Sequence, residues 1–243
     1  MQKRGLIAII YLGVLITGFY AGSYFHYNKL KSEDTGAMQH GYQSDGWQLY
    51  LEKDYEGAIA EFNKYLDDDN ENFAAYSGLA WSNYAIGDYE DAIGAFNRAK
   101  EINPKSYDPY NGLGWVHYAQ RQYEMAASSF EQALKLSPDA ETIYNGLGRS
   151  YYKLKNYAKS EEIYEKAILL NPNLYFANAG LFLVNYETND YGKASEYFGK
   201  IIPFKYDTSF VPDKDYVNFA NCMFRIEGKE DTEREAYNCR RLI

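Results

Sequence analysis

Tyr110 opens the run YNGLGWVHYAQRQYEMAASSFEQALKLSP, and Tyr144, 34 residues later, opens YNGLGRSYYKLKNYAKSEEIYEKAILLNP. A period between about 20 and 50 residues is the mark of a repeat architecture, and 34 suits a helix–turn–helix unit. Laid along the chain without a gap, the frame gives units 39–72, 73–106, 107–140 and 141–174, with a degrading fifth at 175–208. Such units cannot bury an apolar face alone, so the chain must stack neighbours into one continuous core.

The conserved spacing within the frame has a direct physical meaning. Position four holds Tyr42, Tyr76, Tyr110, Tyr144 and then Asn178, and position seventeen holds Tyr55, Tyr89, Tyr123, Tyr157 and Tyr191. Position twenty-four is Phe62, Phe96, Phe130, Tyr164 and Phe198. These rings fill the spaces between hairpins, with Leu79, Leu113, Leu147 and Leu181 adding an aliphatic layer. Small residues at position eight (Gly46, Ala80, Gly114, Gly148, then Phe182) and position twenty (Ala58, Ala92, Ala126, Ser160, Ala194) let two antiparallel helices approach. Pro104, Pro138 and Pro172 close three units, because proline ends a helix and pushes the residue before it into extended backbone. The departures are Asp45 and Tyr65 in the first unit and Asn178, Phe182 and Ile201 in the fifth, as expected where end units cap a stack.

This pattern resembles the tetratricopeptide repeat family over about two-thirds of the chain. The resemblance implies an all-α superhelical solenoid of helix–turn–helix repeats over 39–208. It also implies that the first helix of each pair lines a concave face through positions two, five, nine, twelve and thirteen. Carried onto this frame, position nine gives Trp47, Trp81 and Trp115, all three tryptophans of the chain, then Arg149 and Leu183. Position twelve gives Tyr50, Tyr84, Tyr118, Tyr152 and Tyr186, and position five gives Gln43, Ser77, Asn111, Asn145 and Ala179. A small polar residue is usual at position nine, so tryptophan there suits an anchor for a ligand: a large apolar area with one polar tip. Tyrosine at position twelve is common in the family and reads as packing between repeats. The candidate partner-binding residues are therefore Trp47, Trp81, Trp115, Arg149, Tyr50, Tyr84, Tyr118, Tyr152, Asn111 and Asn145. Some family members clamp a peptide's C-terminal carboxylate with Lys and Asn, but Trp at position nine does not match that clamp.

Composition narrows the function further. A net charge of −9 without an extended Lys/Arg cluster excludes the basic footprint that nucleic acid requires. His26, His40 and His117 are scattered, and no phosphate loop or nucleophile turn is present, so neither a cofactor nor an enzymatic site is expected. Asp67-Asp68-Asp69 lacks the Gly and terminal Glu of a calcium loop and reads as a solvated turn between repeats.

The flanks carry separate expectations. After a basic tail (1–4), residues 5–25 contain no charge and span roughly 30 Å as a helix, the thickness of a bilayer core. Tyr20, Tyr24 and Tyr27 suit an interfacial belt, and the segment reads as an uncleaved transmembrane anchor preceding the solenoid. Residues 26–38 form a polar tether, and the balance of flanking charges leans toward an array on the extracytoplasmic side. At the other end, residues 209–243 read as a capping helical hairpin. If its turn is centred between Glu227 and Thr232, Cys239 lies roughly 3 Å past the level of Cys222, so a disulfide needs inward-facing side chains. In sum, the sequence points to a membrane-anchored scaffold whose groove binds an extended peptide or helix of a protein partner. Aromatic stacking on a polysaccharide is the alternative.

Overall fold

The computed structural model describes residues 45–201, and the structural statements below concern those residues. Ten helices run through them: α1 (Asp45–Leu51), α2 (Tyr55–Asp68), α3 (Phe73–Ile86), α4 (Tyr89–Ile102), α5 (Asp108–Ala119), α6 (Tyr123–Leu136), α7 (Glu141–Lys153), α8 (Tyr157–Leu170), α9 (Tyr175–Glu187) and α10 (Tyr191–Ile201). No strand occurs among the described residues. None of these helices is long and apolar enough to cross a membrane. The span expected at 5–25, the tether, the capping hairpin at 209–243 and both cysteines lie outside the described residues.

Every second helix begins at position seventeen, and three of them end two residues before a proline. The start is set by a short polar side chain at position sixteen. Asp54 Oδ1 accepts from the Gly57 amide at 3.0 Å, Asn156 Oδ1 from Lys159 at 3.3 Å and Asp190 Oδ1 from Lys193 at 3.1 Å. Asp88 caps α4 in the same way. Each cap satisfies an amide that the first helical turn leaves without a partner. Gln122 occupies this position before α6 and does not cap; its Oε1 instead meets His117 Nδ1 at 2.8 Å. The residue before each cap is left-handed, with φ of 67° at Lys53, 89° at Gly87, 61° at Arg121, 58° at Lys155 and 64° at Asn189. At the far ends, Asn103 (φ −131°, ψ 84°) and Ser137 (φ −139°, ψ 86°) show the departure from helix that a following proline imposes. Asp69 turns the chain the same way without a proline and accepts the Glu71 amide at 3.1 Å; the acidic run is solvent-exposed as expected, but Asp67 and Asp68 close the helix and only Asp69 lies in the turn.

The described residues divide into two compact units, one ending at Ile163 and the other starting at Tyr164, with the division inside α8. In the first unit, α1–α2, α3–α4 and α5–α6 form hairpins, and each second helix packs on the following first helix. First helices also touch in sequence, α1 with α3, α3 with α5 and α5 with α7. Phe62, Phe96 and Phe130 are 0% exposed. Each ring stands in a notch made by a glycine of the next hairpin: a Cβ at Gly78 would lie 2.1 Å from Phe62 Cζ, and one at Gly146 would lie 2.2 Å from Phe130 Cζ. Those glycines occupy position six, which the sequence pattern left unread beside the glycine at position eight. Position twenty tolerates Ser160 because its Oγ donates to the Gly148 carbonyl at 2.8 Å.

The second unit repeats the device with other residues. Buried Tyr164 stands against Gly180, where a Cβ would come within 2.2 Å of its Cε2. Asn178 replaces tyrosine at position four and keeps its role. Its Nδ2 donates to the Pro172 carbonyl at 3.0 Å, as the Tyr144 hydroxyl donates to the Pro138 carbonyl at 2.7 Å one unit earlier. Phe182, the ring at position eight, is buried and packs on Phe198 with centroids 5.4 Å apart.

Candidate functional site

Positions five, nine and twelve fall at i, i+4 and i+7, one stripe of a helix. The stripes are Ser77–Trp81–Tyr84 on α3, Asn111–Trp115–Tyr118 on α5 and Asn145–Arg149–Tyr152 on α7, with Trp47 and Tyr50 on α1. All of these residues lie in the first unit.

The rings form the same chain in three successive hairpins. Trp47, Trp81 and Trp115 meet the buried phenylalanine of their own hairpin edge-on, at 5.4, 5.2 and 5.3 Å between centroids. Each also meets the tyrosine one turn later on its own helix, at 5.5, 5.8 and 5.9 Å. That tyrosine then contacts the position-seventeen ring, as in Tyr50–Tyr55 and Tyr118–Tyr123, both at 5.4 Å. The tryptophans are half-buried and take part in packing as well as facing outward. One side of each ring completes the core, so packing accounts for part of the tryptophan at position nine.

Two contacts tie neighbouring stripes together. Trp81 Nε1 donates to Asp108 Oδ1 at 3.1 Å, joining α3 to the buried start of α5. The Arg149 guanidinium stands over Tyr118 at 5.0 Å and over Trp115 at 5.9 Å from the ring centroids. Arg149 is buried, so both aromatic faces act on a guanidinium shielded from water, where a cation–π contact is strongest. Tyr152 is buried and lies 5.7 Å from Tyr157. The structure thus brings together Trp81, Tyr84, Trp115, Tyr118 and Arg149, while Trp47 and Tyr50 belong to the packing around Phe62. Asn145 is half-buried and Asn111 is 7% exposed, its Oδ1 without a hydrogen-bond partner, as is Ser77 Oγ. Asp108 at position two was missed from sequence although it lies on the same frame of inward positions, as does Lys153 at position thirteen.

The environment also leaves an electrostatic trace. The Tyr84 hydroxyl is pushed up to about 12, first by burial and then by Tyr89, with Arg149 pulling it down and Tyr118 adding a smaller upward push. Burial, with Asp108 and Asp139 beside it, raises Tyr107 as well. A phenol whose folded value lies above its unfolded value of 10.0 holds more protons when folded across that interval, so its contribution is complete below pH 10 and is lost as pH rises toward 12. Urea unfolding at rising pH is expected to show stability falling across this window. Tyr84→Phe, which removes the ionising group, is expected to make the fall shallower; an unchanged slope would refute the assignment to Tyr84.

Comparison with known proteins places this geometry. Two family models, both described as tetratricopeptide repeat, match residues 49–113 and 111–174, which together exceed half the chain. Among solved structures, PilF of Pseudomonas aeruginosa superposes with a TM-score of 0.64 at 19% identity, covering 80% of this chain and 85% of that one. A crystal structure of MamA gives 0.61 at 24% identity, covering 70% and 99%. YrrB, described as a TPR protein with an unusual peptide-binding site, gives 0.56 at 18% identity, covering 75% and 94%. At these identities the likeness is one of fold. No curated protein matches the chain.

Proposed function

We propose, from the premise that this chain is a tetratricopeptide-repeat protein over residues 49–174, that it is a binding scaffold which captures an extended segment or helix of a protein partner on the stripe of its first helices. The observation that carries this is the convergence of Tyr84, Trp115, Tyr118 and Arg149, with the half-buried ring of Trp81 beside them, on adjacent first helices. Large half-buried rings held by edge-on neighbours offer apolar area at little entropic cost, which is how binding anchors work. The peptide-binding site of YrrB supports the same use of the fold. The polysaccharide reading is less well served, because the Arg149 guanidinium already stands over the Tyr118 ring, 5.0 Å from its centroid, where a sugar would stack.

In the same proposal, residues 5–25 hold the scaffold at a membrane with the array on the extracytoplasmic side, so that capture recruits the partner to a membrane complex. No part of the reading requires catalysis. The test is photo-crosslinking in cells from a reactive residue at Ala85, exposed and one turn past Trp81, against one at Lys135, exposed on α6. A discrete protein adduct from Ala85 alone is expected. Equal labelling from both positions would sink the assignment of this face.

A further inference from the structure

We propose that the segment bound on this stripe is an acidic peptide, lying with its carboxylates against α7 and its apolar side chains against Trp81 and Trp115. The inference rests on the peptide-scaffold reading above and adds to it the charge and direction of the ligand.

The chain as a whole carries a net charge of −9, whereas this stripe carries Arg149 and Lys153 against one acid, Asp108. Arg149 stands at the end of the aromatic run, over Tyr118 and Trp115. Lys153 follows one helical turn later on the same side of α7, half-buried and in no ion pair among the described residues. The acid on the stripe, Asp108, is engaged by the Trp81 indole.

The turns inside the hairpins repeat the bias as a gradient. The first turn carries Glu52, Lys53 and Asp54 and the second carries Asp88, whereas the third carries Arg121 and the fourth Lys155. An acidic segment is therefore repelled at the α1–α3 side and attracted at α7, which gives it one orientation.

The test uses the full chain and three synthetic peptide pools that share one set of apolar positions. Their remaining positions are Asp/Glu, Asn/Gln or Lys/Arg, and binding is read by fluorescence polarisation. Lys153, half-exposed, with the buried Arg149 behind it, predicts the acidic pool to bind about fivefold tighter than the amide pool at low salt, with the gap closing as salt rises. Lys153→Glu, a half-exposed site chosen so that folding is retained and checked by circular dichroism, is expected to abolish that preference. An amide or basic pool binding as well as the acidic one would overturn the charge assignment while leaving peptide capture standing. An acidic preference that survives Lys153→Glu would overturn its placement on α7. A single-stranded oligonucleotide of equal charge binding as tightly would replace the peptide by polyanion attraction. Silence from all three pools would overturn the scaffold reading and this proposal together.

Discussion

Gly112→Ala is expected to destabilise the repeat array by about 3 kcal/mol, a large share of the 5–15 kcal/mol that holds a typical domain. A Cβ at Gly112 would stand 2.1 Å from Cζ of Phe96 and 2.3 Å from its Cε1. Phe96 cannot withdraw, because it is itself fully buried among Ala80, Ala92, Ala95, Leu113 and Val116, with the Trp81 ring edge-on at 5.2 Å. Close-packed interiors transmit such an overlap to their neighbours, so the interface between α4 and α5 must open. Gly94→Ala is the control. Gly94 lies inside α4, exposed, with nothing within 4 Å of its added Cβ, and alanine there should stabilise by about 0.5–1 kcal/mol through helix propensity. Urea unfolding followed by circular dichroism separates the two. A Gly112→Ala midpoint equal to that of the parent would show that the notch is slack.

That glycine also shows where sequence reading stops. The 34-residue period made the helices legible nearly to the residue, since Tyr at seventeen opens every second helix and Pro at thirty-two closes three of them. The run YNGLG holds two glycines, however, and periodicity alone ranks them equally. Only the fold reveals that the one at position six receives the ring of the preceding hairpin, while the one at position eight backs the ring of its own. The caps at position sixteen went unread although Asp or Asn stands there in four units, and the role of Asn178 was not legible, because a tyrosine hydroxyl and an asparagine amide donate to the equivalent carbonyl by different paths. On the candidate site, the frame placed Ser77, Asn111, the tryptophans and Arg149 on one stripe. It could not show which side of each indole meets a phenylalanine, nor that Trp81 reaches Asp108 on the next hairpin.

This last pairing sets the second prediction. Trp81→Ala is expected to destabilise by about 3 kcal/mol, so a loss of partner capture in that variant would not isolate a binding role. The truncation removes the edge-on contacts with Phe96 at 5.2 Å and Tyr84 at 5.8 Å, and it leaves the buried Asp108 carboxylate without its indole donor. Trp81→Phe keeps a ring against Phe96 and loses the N–H, which by itself should cost about 1–3 kcal/mol because a buried charged acceptor is left without that donor. Asp108→Asn in the parent should also destabilise. Made together with Trp81→Phe it should cost less than the two single changes summed, since a neutral amide has less need of the lost donor. A double-mutant cycle by urea unfolding measures this coupling directly. A favourable coupling near 1 kcal/mol is expected. Strict additivity would mean that the 3.1 Å contact holds nothing together. If the coupling is found, Trp81→Phe and Trp115→Phe become the variants in which partner capture is read, because they change the outward surface while keeping the ring that the buried phenylalanines require.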